Sequence, residues 1–116
     1  MIHPNSEISE FDIIIIGATG DLSIRKIIPA LFKRYADGQI PEKSKIYCLA
    51  RQKLDNSSFT QKISQQNKID FKNSKILKEF FDKINYLCID IKSPDSKNLF
   101  SLQKRLAKDR VRLFYL

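Results

Sequence analysis

Residues 11–23 read FDIIIIGATGDLS, and the physical reading of this stretch decides the fold. Phe11 to Ile16 is a short, continuous, β-branched run, the pattern of a strand buried on both faces as in a parallel sheet. It ends in Gly17. From Leu22 the apolar residues change period, with Ile27, Ile28, Leu31, Phe32 and Tyr35 at three- and four-residue intervals until Gly38 and Pro41 stop the pattern, which predicts a helix. Pro29 falls inside that helix, where it removes a backbone donor and crowds the preceding turn, so a kink or split is expected near Ile27 to Pro29.

Outward from this unit, strands and helices alternate. Lys45 to Ala50 reads as a second strand, and the polar stretch Arg51 to Ser58 offers Asp55, Asn56 and Ser57 as turn or cap residues before a weak helix over Phe59 to Gln66. Ile76, Leu77, Phe80, Phe81 and Ile84 mark one face of a stronger helix, and Asn85 to Ile91 reads as a third strand. Pro94 and Asp95 open another helix, with Leu99, Leu102 and Leu106 on its apolar line and Lys104, Arg105 and Lys108 towards water. Val111 to Leu116 is a fourth strand. This alternation predicts an α/β fold, a Rossmann-like parallel sheet with helices on both faces, incomplete at about four strands where a full doubly wound domain has six. An apolar strand with no polar or capping residue after it is the pattern of a truncated domain. Residues 1–116 are accordingly read as one partial domain, with edges that a complete sheet would cover.

The turn between the first strand and helix carries the chemistry. Gly17 permits a tight turn, Gly20 allows close backbone approach, and the first N–H groups of the helix point at an anion, which suits a dinucleotide pyrophosphate. The spacing is G-x-x-G-x-x-S rather than G-x-G-x-x-G, because Thr19 and Leu22 occupy the second and third glycine positions. The second strand ends Ala50-Arg51-Gln52-Lys53, with no carboxylate until Asp55. A ribose-binding acid at that place would suit NAD, whereas a cation suits a 2′-phosphate, so the residues favour NADP. Asp21 beside a phosphate would repel it, and its own chemistry suits the positive end of the helix dipole.

Taken together, GATGDLSIRKIIPAL at 17–31, including the proline within the helix, closely resembles the N-terminal signature of glucose-6-phosphate dehydrogenases. Asp37-Gly38 with Pro41, Ala50-Arg51-Gln52 and Leu113 to Leu116 match in register, so the resemblance extends over essentially the whole chain. It implies NADP-dependent oxidation of glucose 6-phosphate to 6-phosphogluconolactone, the first step of the oxidative pentose phosphate pathway. By matching positions, Gly17, Ala18, Thr19, Gly20, Asp21 and Leu22 would bind the cofactor's pyrophosphate, Arg51 with Gln52 its 2′-phosphate, and Lys26 would reach the substrate. Ser23 and Ile24 depart mildly, standing where alanine and a basic residue are common. The family's substrate domain, with its catalytic histidine and acidic partner, has no counterpart in this sequence. The single histidine, His3, lies in a polar tail, so no catalytic residue is assigned and the chain alone is expected to be inactive. Family members form homo-oligomers through that other portion.

Composition bounds the alternatives. At 116 residues, 42% hydrophobic and 29% charged, the chain is long enough for one modest core. Its formal charge of +8 admits a polyanionic partner, but 15 of the 21 cations are lysines spread along the whole length, a compositional drift rather than a binding stripe. With no aromatic-rich basic strand or finger spacing, a nucleic-acid-binding protein is a weaker alternative than a standalone NADP-binding module. No run is long enough to cross a bilayer and the N-terminus lacks a basic leader, so a soluble, cytoplasmic protein is expected. Cys48 and Cys88 lack clustered partners and read as buried free thiols, with no metal site.

Overall fold

The computed structural model describes residues 11–67, 75–89 and the strand 111–115. Four strands, β1 (Phe11–Ile16), β2 (Ile46–Ala50), β3 (Ile84–Cys88) and β4 (Val111–Tyr115), form one sheet in the order β3-β2-β1-β4. All three pairings are parallel, with Ile13 opposite Ile46 and Leu113, and Ile46 opposite Ile84. The chain thus steps outward from β1 to β3 and then returns to the other side of β1. The expected parallel α/β sheet of about four strands is present, and it contains the reversal of strand order that makes a crevice in doubly wound folds.

Alternation along the strands explains the burial. Ile13 and Ile15, Ile46 and Cys48, and Ile84 and Tyr86 face one side, where Ile28 and Leu31 of α1 (Ile28–Ala36), Phe59 and Ile63 of α2 (Asn56–Asn67), and Leu77 and Phe80 of α3 (Lys75–Asp82) complete a core. Ile14, Tyr47, Leu49 and Ile89 form a second buried cluster on the other face. A sheet buried on both sides is what the unbroken apolar run from Ile13 to Ile16 requires. The described helices pack on the first face; the helix expected from Pro94 lies outside the described residues.

The complication at Pro29 resolves as a change of helical register. Helical structure starts at Asp21, passes through a π-helical turn over Ser23–Ile27, and continues as α1 with Pro29 in its first turn. Proline is tolerated there because the carbonyl its missing N–H would serve in the π register, Ile24 O, accepts from the Asn67 side chain instead. The Ile28 N–H reaches back five residues to the Ser23 carbonyl. Gly38, at φ +75°, ends α1, with Gly38 N–H on Tyr35 O (3.0 Å) and Gln39 N–H on Arg34 O (2.9 Å), the two bonds of a Schellman motif.

Several boundaries differ from the sequence expectation, three of them for a physical reason the structure shows. The weak helix begins at Asn56 rather than Phe59, because Asp55 caps it: Asp55 Oδ1 accepts the Ser58 N–H at 2.7 Å. Ile84, expected on the face of α3, opens β3 instead, and the strand runs over 84–88 rather than from Asn85. The helix ends at Asp82 because the buried Lys83 turns inward, its ammonium donating to the carbonyls of Pro41, Glu42 and Ser44 and lying 5.0 Å from the centre of the Tyr35 ring. Strand β2 starts at Ile46, one residue later than expected; the Lys45 N–H is turned to the buried Asp12 carboxylate at 3.0 Å.

Candidate functional site

Because β1 and β2 are parallel neighbours, the turns that follow them leave the same edge of the sheet side by side. Ile16 pairs with Leu49, and the Ala18 N–H then donates to Leu49 O at 2.9 Å, so the turn after β1 is tied to the end of β2. Gly17 is at φ +72°, the left-handed region that disfavours any residue with a Cβ. Gly20 closes the turn by donating to Gly17 O at 2.9 Å, and a Cβ at Gly20 would stand 3.1 Å from that same oxygen. Glycine is thus favoured at 17 by the backbone conformation and at 20 by the close approach of the Gly17 carbonyl.

The cradle fits a pyrophosphate. Ala18 and Gly20 spend their N–H groups inside the turn, so an anion would meet the N–H groups of Thr19, Asp21 and Leu22, where no preceding helical turn supplies acceptors. Asp21 is exposed and its carboxylate pairs with Arg25 Nε at 2.9 Å, four residues on, which offsets the repulsion it would exert on a phosphate. Leu22 is 58% exposed, an apolar side chain open to solvent at the mouth of the turn. Lys26 lies exposed on the π-helical turn that follows.

Arg51 and Gln52 are exposed at the end of β2, with their main chain held from β3. Cys88 Sγ lies 3.3 Å from Arg51 O, and the Tyr86 hydroxyl donates to Gln52 O. Burial raises the Tyr86 pKa above its ordinary value of 10, so the hydroxyl stays a donor into the alkaline range. Cys88, expected buried, is only partly so, because it sits at this open edge; Cys48 is fully buried, which pushes its thiol pKa up and leaves it inert. Asp55, the first carboxylate after β2, is committed to the cap of α2. The Ser58 N–H holds its carboxyl below the ordinary value of 3.8.

Sequence reasoning did not find the residues that position this edge. Asn56, noted only as a cap candidate, donates to Ile84 O (2.8 Å) and accepts from Tyr86 N–H (2.6 Å), fastening the start of α2 to β3. Asn67, at its other end, donates to Ile24 O and Ile63 O, each at 2.9 Å. Lys62 reaches Gln52 Oε1 at 3.4 Å. Only contacts across 10 to 43 residues reveal these roles, and local periodicity carries no trace of them.

The family model described as "Glucose-6-phosphate dehydrogenase, NAD binding domain" matches residues 14–116. The chain belongs to this family. Among its relatives, the glucose-6-phosphate 1-dehydrogenase of Gluconobacter oxydans is 32% identical over 115 residues, 94% of this chain and 24% of the relative. The corresponding Rhizobium meliloti enzyme is 30% identical, over 94% of this chain and 23% of its own length. A solved glucose-6-phosphate dehydrogenase in complex with its substrate glucose-6-phosphate superposes with a TM-score of 0.80 at 30% identity, covering 96% of this chain and 25% of that one. The chain thus spans about a quarter of the length of the glucose-6-phosphate dehydrogenases it matches. Among the described residues no group of acidic, histidine or cysteine side chains forms a metal cluster, and no helix is long and apolar enough to cross a membrane.

Proposed function

We propose that this chain is the cofactor-binding part of an NADP-dependent glucose-6-phosphate dehydrogenase, occupying residues 1–116 as a partial Rossmann domain. The supporting observation is the juxtaposition at the C-terminal edge of β1 and β2: a positive-φ glycine turn opening a helix beside an exposed arginine, with the nearest carboxylate engaged elsewhere. In this reading the Gly17–Leu22 turn holds the pyrophosphate through main-chain N–H groups. Arg51 and Gln52 recognise the 2′-phosphate, and Lys26 faces the glucose 6-phosphate side.

Bound NADP supplies the hydride acceptor. What this chain's own residues contribute is orientation: the two glycines fix the phosphates against a rigid turn, and Arg51 selects the phosphorylated ribose. No base for the substrate hydroxyl is assigned here, since the sequence's single histidine, His3, lies outside the described residues. The substrate domain, oligomerisation and a cytoplasmic setting belong to the same proposal.

Thermal unfolding with NADP, NAD or no ligand tests the reading. Ligand at a hundred times its dissociation constant adds about 2.7 kcal/mol to stability, a plainly raised midpoint. NADP is expected to raise it well above NAD, and Arg51→Ala is expected to narrow the difference. Equal midpoints for the two nucleotides with the wild-type chain would refute the 2′-phosphate assignment.

A further inference from the structure

A second cation reaches the turn that carries the proposed 2′-phosphate site. Between Arg51 and Asn67 the sequence carries three cations, Arg51, Lys53 and Lys62, and a single carboxylate, Asp55. That carboxylate is turned to the Ser58 N–H at the start of α2 and, among the described residues, forms no ion pair with the three cations. Lys62 lies six residues into α2 and yet its ammonium returns to the turn after β2, 3.4 Å from the side-chain oxygen of Gln52.

That reach is fixed by how α2 is mounted. Its first residue, Asn56, is bonded twice to the backbone of β3, and its last, Asn67, to the Ile24 carbonyl in the helix that follows the glycine turn. Phe59 and Ile63, which bracket Lys62, are fully buried. The helix therefore spans from the strand beside the Arg51–Gln52 turn to the phosphate-binding helix, and Lys62 rides on a rigid base. Its contact with Gln52 is long and made to a neutral amide, which is a weak hold on an ammonium. A phosphate oxygen would be a much stronger acceptor.

We propose that Lys62 is a specificity-determining residue, a second cation that binds the cofactor's 2′-phosphate alongside Arg51 and draws Gln52 into the site. The inference rests on the NADP reading above, and its test separates the two. NADP and NAD are titrated into the wild-type chain and into Arg51→Ala, Lys62→Gln and Lys62→Arg at two salt concentrations. Lys62→Gln is expected to raise the NADP dissociation constant about tenfold while changing NAD less than twofold, and to weaken the salt dependence of NADP binding. Lys62→Arg should stay within about threefold of wild type, since the charge is kept. A merely structural lysine would weaken both nucleotides alike, and that result, or no change in either, would overturn the proposal provided Arg51→Ala still lowers the preference for NADP. If Arg51→Ala leaves the preference untouched, the 2′-phosphate reading of this edge fails, and the role of Lys62 falls with it.

Discussion

At the scale of single residues, the turn after β1 depends on conformation more than on side chains. Nothing lies within 4 Å of a Cβ built on Gly17, so Gly17→Ala meets no clash and its cost is the backbone alone. Placing an alanine at φ +72° is expected to cost about 1 kcal/mol, read as a lower urea midpoint at unchanged slope. Asn in its place should lose less, because its side chain tolerates the left-handed region. Gly17 was legible in the sequence since glycine after an apolar run is a conformational signal. Lys83 was not, because lysines are ordinarily solvated, and its role depends on carbonyls about 40 residues away. Lys83→Met keeps the stem but removes the ammonium from the Pro41, Glu42 and Ser44 carbonyls, and is expected to cost about 2 kcal/mol. Equilibrium unfolding checks it, and an unchanged stability would mean that those carbonyls are served by water instead.

Among the elements, the helix after the glycine turn and α2 are one device. In the π register the bond after Ile28 to Ser23 would run from residue 29 to Ile24 O, but Pro29 has no N–H, and Asn67 Nδ2 occupies that carbonyl. Asn67→Ala should therefore destabilise by about 1–3 kcal/mol. In a Pro29→Ala background the restored N–H can serve Ile24 O, and the same change should cost about 1 kcal/mol less. Strict additivity in this double-mutant cycle would show that the two residues do not share the carbonyl. At the other end of α2, the Asp55 pKa is lowered by the Ser58 N–H, so its stabilising effect is complete above the ordinary value of 3.8 and is lost as pH falls through the lower folded-state value. Asp55→Ala should have a lower thermal midpoint than wild type at pH 7, and the gap should narrow in acid below that value, to about what a neutral accepting oxygen still provides. Asp55→Asn, which keeps an accepting oxygen, should fall between the two. The proline foretold a disturbance in the helix, but not that a π turn and a distant asparagine would absorb it. The cap of α2 at Asp55 was among the residues the sequence offered, but the helix start was placed at Phe59 because Asn56, Ser57 and Ser58 carry no hydrophobic period.

For the molecule as a whole, the parallel sheet was legible because strands buried on both faces are predominantly apolar, and the places of the glycine turn and of Arg51 were legible because each stands directly after such a run. What the sequence could not convey is which residues the crossings bring together: Ile84 continued the helical spacing of Phe80 and Phe81 and was separated from them only by the inward turn at Lys83. The same distinction between local and assembled chemistry bears on the charge of +8. If the cations act as a general field, binding of any polyanion should collapse with salt, by about 10³ to 10⁵ between 50 and 200 mM for six to ten phosphate contacts. The arrangement at the edge of β1 and β2 instead offers main-chain N–H groups with Arg51 and Lys62, two local cations. The NADP dissociation constant should then rise by about tenfold or less over that range, since hydrogen bonds from fixed N–H groups release few counterions. Titrating NADP and a DNA duplex at both salt concentrations decides the matter. A duplex that stays tighter than micromolar at 200 mM, or an NADP affinity that falls a thousandfold, would assign the anion binding to the lysine-rich surface rather than to the turn.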